Sequence, residues 1–433
     1  MGLALLCKSL NFFVVLMAAP LTASLTSVTD LPIQKNLNPF KKREQTACAE
    51  NGTLRRTFSQ GLADMKLTAA ALFFSLTCAL TQAAHAETMD SAHVSIIGGV
   101  QVHTVTLDDE NLKMALWHEE ASGPRRQVTK ESQVVLFVHG ATISGKLSAG
   151  YPIDGYSWAR DVANTGRDAW VVDLPGYGRS EDYPQMHSSD PQTRSDPVGN
   201  AKSLVPVLDT AVDYILKLSG AQKLTIIATS RGAIPVGYYV NAHPEKLNKV
   251  VFNSPIVRRD NINPDVIKNL FGSADRPTKN FYEIPMDKRL AMISEDRPAG
   301  TDVQLEDSFV KNWPQDSLSE RGTQQGTIKV PGGFAQDIYD AWHGVYWDPA
   351  KINVPVLITR GDYDHVLTTG DDADWLYSHL TNVPSKRYVL IDKGTHAMLF
   401  EKKRFELYRE VQVFLDGAYT PLALTCSFCG GRN

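Results

Sequence analysis

The chain has 433 residues, 43% of them hydrophobic, 21% charged and 9% aromatic, with 30 Gly and 23 Pro, proportions that exclude collagen-like, low-complexity and disordered classes. Its 44 Lys and Arg nearly balance 48 Asp and Glu, for a net charge of -4, and no basic stripe interrupts the middle of the chain, so a nucleic-acid partner has no electrostatic footprint. Such a length accommodates one large domain or two smaller ones, either with a sizeable core.

In chain order, Lys8 followed by Phe12 to Ala19 makes a signal-like segment, and Lys35, Lys41, Lys42, Arg43, Arg55 and Arg56 make the stretch behind it basic. The pattern at residues 65–86 is more complete: Met65-Lys66, a charge-free run from Leu67 to Leu80, then Ala84-His85-Ala86. These are the charged start, apolar centre and small-residue cleavage site of a secretory signal peptide. The apolar run is short beside the roughly 20 residues of a membrane helix. Export with cleavage before Glu87 is therefore expected, giving a periplasmic or secreted protein with no stable membrane span. Residues 1–64 then read as a leader or a non-native extension, a membrane-anchored leader being the rival. Removing residues 1–86 takes away eight basic and four acidic residues and moves the net charge from -4 to -8. It also removes Cys7, Cys48 and Cys78, leaving only Cys426 and Cys429 in a tail over 421–433, so the core needs no disulfide. That Cys-x-x-Cys lies outside any strand-to-helix turn that would activate a thiolate, and reads as a tail disulfide or as functionless. Ser75-Leu76-Thr77-Cys78 lacks the small residue expected before a lipidated cysteine, so no lipid anchor is expected.

From His93 onward short β-rich runs alternate with helical patterns. Val94 to Thr106 and Leu112 to Trp117 read as a leading strand pair. Val134 to Val138, Ala169 to Val172, Leu224 to Ala228, Val250 to Phe252, Val354 to Thr359 and Arg387 to Ile391 are apolar enough to be buried on both faces of a largely parallel sheet. Helical patterns cover Ser157 to Thr165, Ala201 to Leu218, Ala233 to Ala242, Asp371 to Leu380 and Arg404 to Leu415. This alternation is the α/β class. Between Ser254 and Val354 about a hundred residues show no clear strand pattern, too long for a structureless loop in a compact domain. Residues 257–353 are expected to form an inserted helical cap on a core of 87–256 and 354–420. Its aromatics, Phe271, Phe281, Tyr282, Trp313, Phe334, Tyr339, Trp342, Tyr346 and Trp347, read singly as the cap's own core before they read as substrate contacts.

Chemistry gathers at the strand ends. The run Leu224 to Thr229 leads into Ser230-Arg231-Gly232 and a helical pattern, approximating the G-x-S-x-G elbow in which a sharp turn projects a serine hydroxyl above the sheet. Ala228 stands where that motif has its first glycine, a mild departure, and Pro235 suits a first helical turn. Past Val354 to Thr359 comes Arg360-Gly361-Asp362-Tyr363-Asp364, with carboxylates where ligands collect in open α/β sheets. Val389-Leu390-Ile391 leads to Gly394-Thr395-His396 before the last helix. A serine hydroxyl is a poor nucleophile until a base takes its proton, and the base needs a carboxylate to fix its tautomer and stabilise its cation. Ser230, Asp364 and His396 supply those three groups in the chain order of this motif. Val138-His139-Gly140-Ala141 ends the first central strand, so the backbone N–H groups of Ala141 and Arg231 are expected to meet at an oxyanion hole, worth about 2.7 to 4 kcal/mol each. His139 reads as a residue that orients this loop.

Together these pieces resemble the α/β-hydrolase superfamily: His139-Gly140, Asp173-Leu174-Pro175-Gly176-Tyr177-Gly178-Arg179-Ser180, the elbow at Ser230, Gly361 with Asp364, and Gly394-Thr395-His396. The resemblance covers about residues 93 to 416 and implies an α/β-hydrolase fold with Ser230 as nucleophile, Asp364 as acid and His396 as base. The serine separates the chain from members with an aspartate nucleophile, such as haloalkane dehalogenases and epoxide hydrolases. Ser230 as a mere helix N-cap would explain neither Asp364 nor His396. Asp362 and Asp260 remain alternatives for the acid. Gly176-x-Gly178 lacks the third glycine of a nucleotide site. His187, His343 and His365 show no metal-ligand spacing, although His365 adjoins the acid, and neither metal nor cofactor is implied.

The expected function is an exported serine hydrolase that cleaves a carboxylic ester, a small-molecule substrate, through an acyl-enzyme in a pocket between sheet and cap. The rim is expected from residues 140–156. Lactone, thioester, amide and carbon-carbon cleavage run on the same triad, and a catalytically silent binding protein is the alternative of another class. The side chain of Arg231 suits a substrate carboxylate or a structural ion pair equally.

Overall fold

The computed structural model describes residues 93–107, 111–123, 133–295, 297–301 and 304–417. The signal-peptide and extension readings of residues 1–86 lie outside that range, as do Cys426 and Cys429. In chain order, β1 (His93–Ile97), β2 (Val100–Leu107), β3 (Leu112–Glu119) and β4 (Val134–Val138) precede α1 (Trp158–Ala163), β5 (Asp168–Asp173), α2 (Leu204–Ser219), β6 (Leu224–Thr229), α3 (Ala233–Ala242) and β7 (Leu247–Asn253). Next come α4 (Pro264–Phe271), β8 (Phe281–Pro285), α5 (Met286–Glu295), α6 (Asp307–Arg321), β9 (Thr327–Pro331) and α7 (Gly333–Ala341). The chain then closes with β10 (Val356–Gly361), α8 (Gly370–His379), β11 (Lys386–Ile391) and α9 (Arg404–Asp416).

Nine of these strands make one sheet in the order β1-β2-β3-β5-β4-β6-β7-β10-β11. The pairings from β1 through β3 to β5 are antiparallel, and those from β5 to β11 are parallel. Parallel neighbours need crossovers, and α1, α2, α3 and α8 provide them, leaving the central strands covered on both faces. Every residue of β4 and β10 is buried, as is all of β6 but its last, which is why these strands read as largely apolar runs. The helices start where the local chemistry permits. Ser157 Oγ accepts the Arg160 N–H ahead of α1, and Thr369 and Asp372 close a capping box on α8.

Three expectations need correction. The leading run 94–106 is two strands, because Gly98 and Gly99 take positive φ of 59° and 81° and turn the chain into a β1–β2 hairpin. β11 is an edge strand with partly exposed residues, as its Lys386 and Arg387 require. The segment between β7 and β10 is not purely helical: β8 and β9 pair antiparallel within it. Its aromatics divide between its own interior, where Phe334 meets Phe271 and Tyr282, and the seam with the rest of the fold, where the buried Trp347 stacks on Phe252 and the fully buried Trp313 donates from Nε1 to the Leu147 carbonyl at 2.9 Å. No helix among the described residues is long and apolar enough to cross a membrane.

Candidate active site

Ser230 is the first residue after β6, and its φ of +56° lies in the left-handed region. For a residue with a Cβ that conformation costs of order 1–3 kcal/mol, so the surroundings must enforce it. Close backbone approach does so. A Cβ on Gly232 would lie 2.5 Å from the His139 carbonyl oxygen and 2.9 Å from that of Val138, so only glycine lets the elbow sit against the end of β4. The Ser230 carbonyl is held by the Ile256 N–H at 3.1 Å. Ala228, the departure from the motif, is fully buried in β6 between Val138 and Phe252 of the adjacent strands.

His396 lies in the loop after β11, with its Nε2 2.8 Å from Ser230 Oγ and its Nδ1 2.7 Å from Asp364 Oδ2. The carboxylate accepts from Nδ1–H, leaving Nε2 with a lone pair toward the serine hydroxyl. Asp364 is fully buried, and its other oxygen accepts the Thr368 N–H at 3.0 Å, so both oxygens are partnered. The two loops are fixed against each other. Tyr363 N–H donates to the Gly394 carbonyl at 2.9 Å, and a Cβ on Gly361 would stand 2.1 Å from that same oxygen. The structure thus brings Ser230, His396 and Asp364 into one hydrogen-bonded row at the carboxyl ends of β6 and β10. The alternative acids fall elsewhere: Asp260 pairs with Arg258 at the surface, and the hydrogen bonds of His396 run to Ser230 and Asp364, not to Asp362. His365 is exposed. Among the described residues no group of three His, Cys, Asp or Glu is placed to hold a metal ion.

His139 is buried, donates from Nδ1 to the Gly140 carbonyl at 2.9 Å and accepts the Leu174 N–H on Nε2 at 3.2 Å. Burial pushes its pKa down to about 3, the guanidinium of Arg231 adding to the effect, so it is a neutral strut between two loops. The loop 173–180 has a similar structural logic. The buried Asp173 carboxylate accepts from Trp117 Nε1 and from the Lys146 and Arg179 N–H groups, and Gly178, at φ +53°, leaves no room for a Cβ beside it.

Gly140 faces the serine so closely that a Cβ there would sit 3.0 Å from Ser230 Cβ. Ala141 follows and lines the same cavity as Ser230. The Arg231 side chain points away from that cavity. It is fully buried, with Nε 2.8 Å from Asp337 Oδ2 on α7 and Nη2 bonded to the same oxygen and to the Gly199 carbonyl. Of its two sequence readings, the structural ion pair holds. The second Asp337 oxygen accepts the Ala201 N–H at 2.8 Å.

The cavity above Ser230 measures about 300 Å³. Ile143 and Ser148 line it from the 140–156 loop, as expected of that segment, and Val366, Leu367, Leu399 and Phe400 line it from the β10 and β11 side. From the insertion come Leu270 on α4 and Arg289, Met292 and Ile293 on α5, and none of the nine aromatics noted in that segment. Arg289 escaped the sequence reading. It donates from Nε to Thr142 Oγ1 at 2.9 Å, and burial holds its pKa down to about 10. A single arginine on an amphipathic helix carries no motif, so only folding reveals where it points.

The match to a known family agrees with this architecture. A family model described as the alpha/beta hydrolase fold matches residues 133–403. The epoxide hydrolase VrEH1 from Vigna radiata is similar over 74% of this chain and 99% of its own, at 19% identity and a TM-score of 0.50. An esterase from Exiguobacterium antarcticum aligns over 72% of this chain and 98% of its own, at 13% identity and 0.49. A bromoperoxidase from Bacillus anthracis aligns over 72% and 99%, at 16% identity and 0.48. At 19% identity the likeness to the epoxide hydrolase is one of fold alone.

Proposed function

The chain belongs to the α/β-hydrolase fold family, and from that premise we propose that it is an exported serine hydrolase cleaving a carboxylic ester through an acyl-enzyme. The observation that carries the reading is the continuous row from Ser230 Oγ through His396 to the buried Asp364, with Ser230 and His396 lining a cavity. In this reading His396 Nε2 takes the hydroxyl proton as Ser230 Oγ bonds to the ester carbonyl carbon. The Asp364 carboxylate holds Nδ1–H and stabilises the imidazolium that forms. The carbonyl oxygen becomes negative and is met by the N–H groups of Ala141 and Arg231. Collapse of the tetrahedral intermediate releases the alcohol, which takes its proton from His396. Water, deprotonated by the same imidazole, then hydrolyses the acyl-enzyme and regenerates the serine.

The test is mass spectrometry after treatment with a fluorophosphonate. One adduct on Ser230, lost in His396→Ala, is expected, and Ser230→Ala should lower kcat on an activated ester by about 10⁴-fold or more without loss of fold. An unlabelled, folded wild type would overturn the reading. Export rests on the 65–86 pattern, and N-terminal sequencing of the secreted protein should begin at Glu87; a mature start well upstream would refute it.

A further inference from the structure

We propose that the ester taken by this site carries a free carboxylate remote from the bond cleaved, and that Arg289 binds it. The inference rests on the hydrolase reading of Ser230 and deepens it by naming the substrate class.

Arg289 brings a positive charge into a cavity whose lining holds no carboxylate, and it forms no ion pair among the described residues. Its own helix offers no counter-charge at the adjacent turns, where Pro285, Met286, Met292 and Ile293 stand. The one hydrogen bond it makes spends Nε on Thr142 Oγ1, whose own proton goes to the Ala141 carbonyl at 2.7 Å. The terminal pair, Nη1 and Nη2, donates to nothing among the described residues, and the partly exposed side chain lines the cavity. Burial lowers the Arg289 pKa to about 10, and an anion entering the cavity would supply the counter-charge that its surroundings lack. Two parallel N–H groups held in plane match the two oxygens of a carboxylate. Thr142 has a positive φ of 69° and adjoins the proposed oxyanion residue Ala141, so the anchored end of Arg289 fixes the guanidinium in register with the reacting centre. Away from the Ser230–His396 end, Ser148 and Thr229, most of the wall is apolar, with Leu270, Met292, Leu399 and Phe400 among its residues, which suits a carbon chain between the two carboxyl groups.

The test compares 4-nitrophenyl hydrogen suberate with 4-nitrophenyl octanoate, which share acyl length and leaving group and differ in the terminal carboxylate. Wild type should favour the suberate ester in kcat/KM by about 100-fold, since a site built to pair with a polar group discriminates strongly against an analogue lacking it. In Arg289→Met that ratio should fall to about one, and in Arg289→Lys, which keeps the charge without the fork, to an intermediate value. A wild-type ratio near one, or a ratio unchanged in Arg289→Met, would overturn the proposal and leave Arg289 as a support for the Thr142 loop. Fluorophosphonate labelling of Ser230 in each protein reports an intact site. If wild type neither labels nor cleaves either ester, the hydrolase reading has failed, and calorimetry with free suberate on wild type and Arg289→Met then decides the anion site alone: binding lost in the variant supports it, and no binding to wild type refutes it.

Discussion

At the scale of single residues the site is held by glycines whose missing side chains let loops touch. Gly361→Ala would push a Cβ to within 2.1 Å of the Gly394 carbonyl and displace the loop that carries His396. The expected outcome is a loss of about 1–3 kcal/mol in denaturant stability, with a larger proportional loss in the fluorophosphonate labelling rate, because the Ser230–His396 hydrogen bond is the first contact disturbed. His139 gives a pH signature. Its folded pKa of about 3 lies below the usual histidine value of 6.5, so the unfolded chain binds the extra proton between those limits. Stability contributed by this neutral, buried ring is complete above about 6.5 and is lost as pH falls toward 3, at about 1.4 kcal/mol per pH unit where only the unfolded state is protonated. Urea titrations at stepped pH should show a shallower acid slope for His139→Gln than for wild type; equal slopes would contradict a neutral His139. Ser230, Asp364 and His396 were legible in the sequence because each sits at a fixed offset from an apolar run and a glycine. Arg289 was not, since what sets it apart is the absence of a partner in three dimensions.

At the scale of elements, α7 is coupled to the nucleophile elbow by the buried Arg231–Asp337 pair, which joins residues 106 positions apart. Asp337→Leu would strand the Arg231 guanidinium in a dry site and should cost about 3–5 kcal/mol. Adding Arg231→Met should recover a large part of that loss, because removing both charges removes the desolvation penalty as well. A double variant no more stable than Asp337→Leu alone, in the same denaturant titration, would show that the pair contributes more than it costs. Elements with strong local signals were readable in advance. β4 and α3 fall on the residues expected, since an unbroken Val-Val-Leu-Phe-Val run and a Gly-Ala start leave little choice. The strand β7 begins earlier than its apolar run because Lys249 interrupts it; that ammonium is buried and donates to the carbonyls of Phe414, Leu415 and Gly417 at the end of α9, a contact invisible from sequence. β8 and β9 were missed because each is five residues long with polar side chains between apolar ones and a proline at its end.

At the scale of the whole molecule, the sheet topology explains why the chemistry collects where it does. Strands β4, β6 and β10 run parallel, so the loops bearing Gly140, Ser230 and Asp364 leave the same edge of the sheet, and the loop after β11 brings His396 to meet them. The inserted segment between β7 and β10 lies on that path and supplies one wall of the cavity through α4 and α5. Fold class was legible because this alternation of dry strands and helices permits few arrangements; the cavity's one strong charge was not, because it comes from the insertion, where local patterns are weakest. All nine strands of the sheet and every residue assigned to the site lie between His93 and Asp416. A protein beginning at Glu87 should therefore melt within about 3 °C of the full chain and label Ser230 at the same rate. For a domain of this size a shift of about 2–4 °C already corresponds to roughly 1 kcal/mol, so a larger fall would reveal stabilising contacts made by residues 1–86, and slower labelling at an unchanged melting temperature would place such contacts at the site itself.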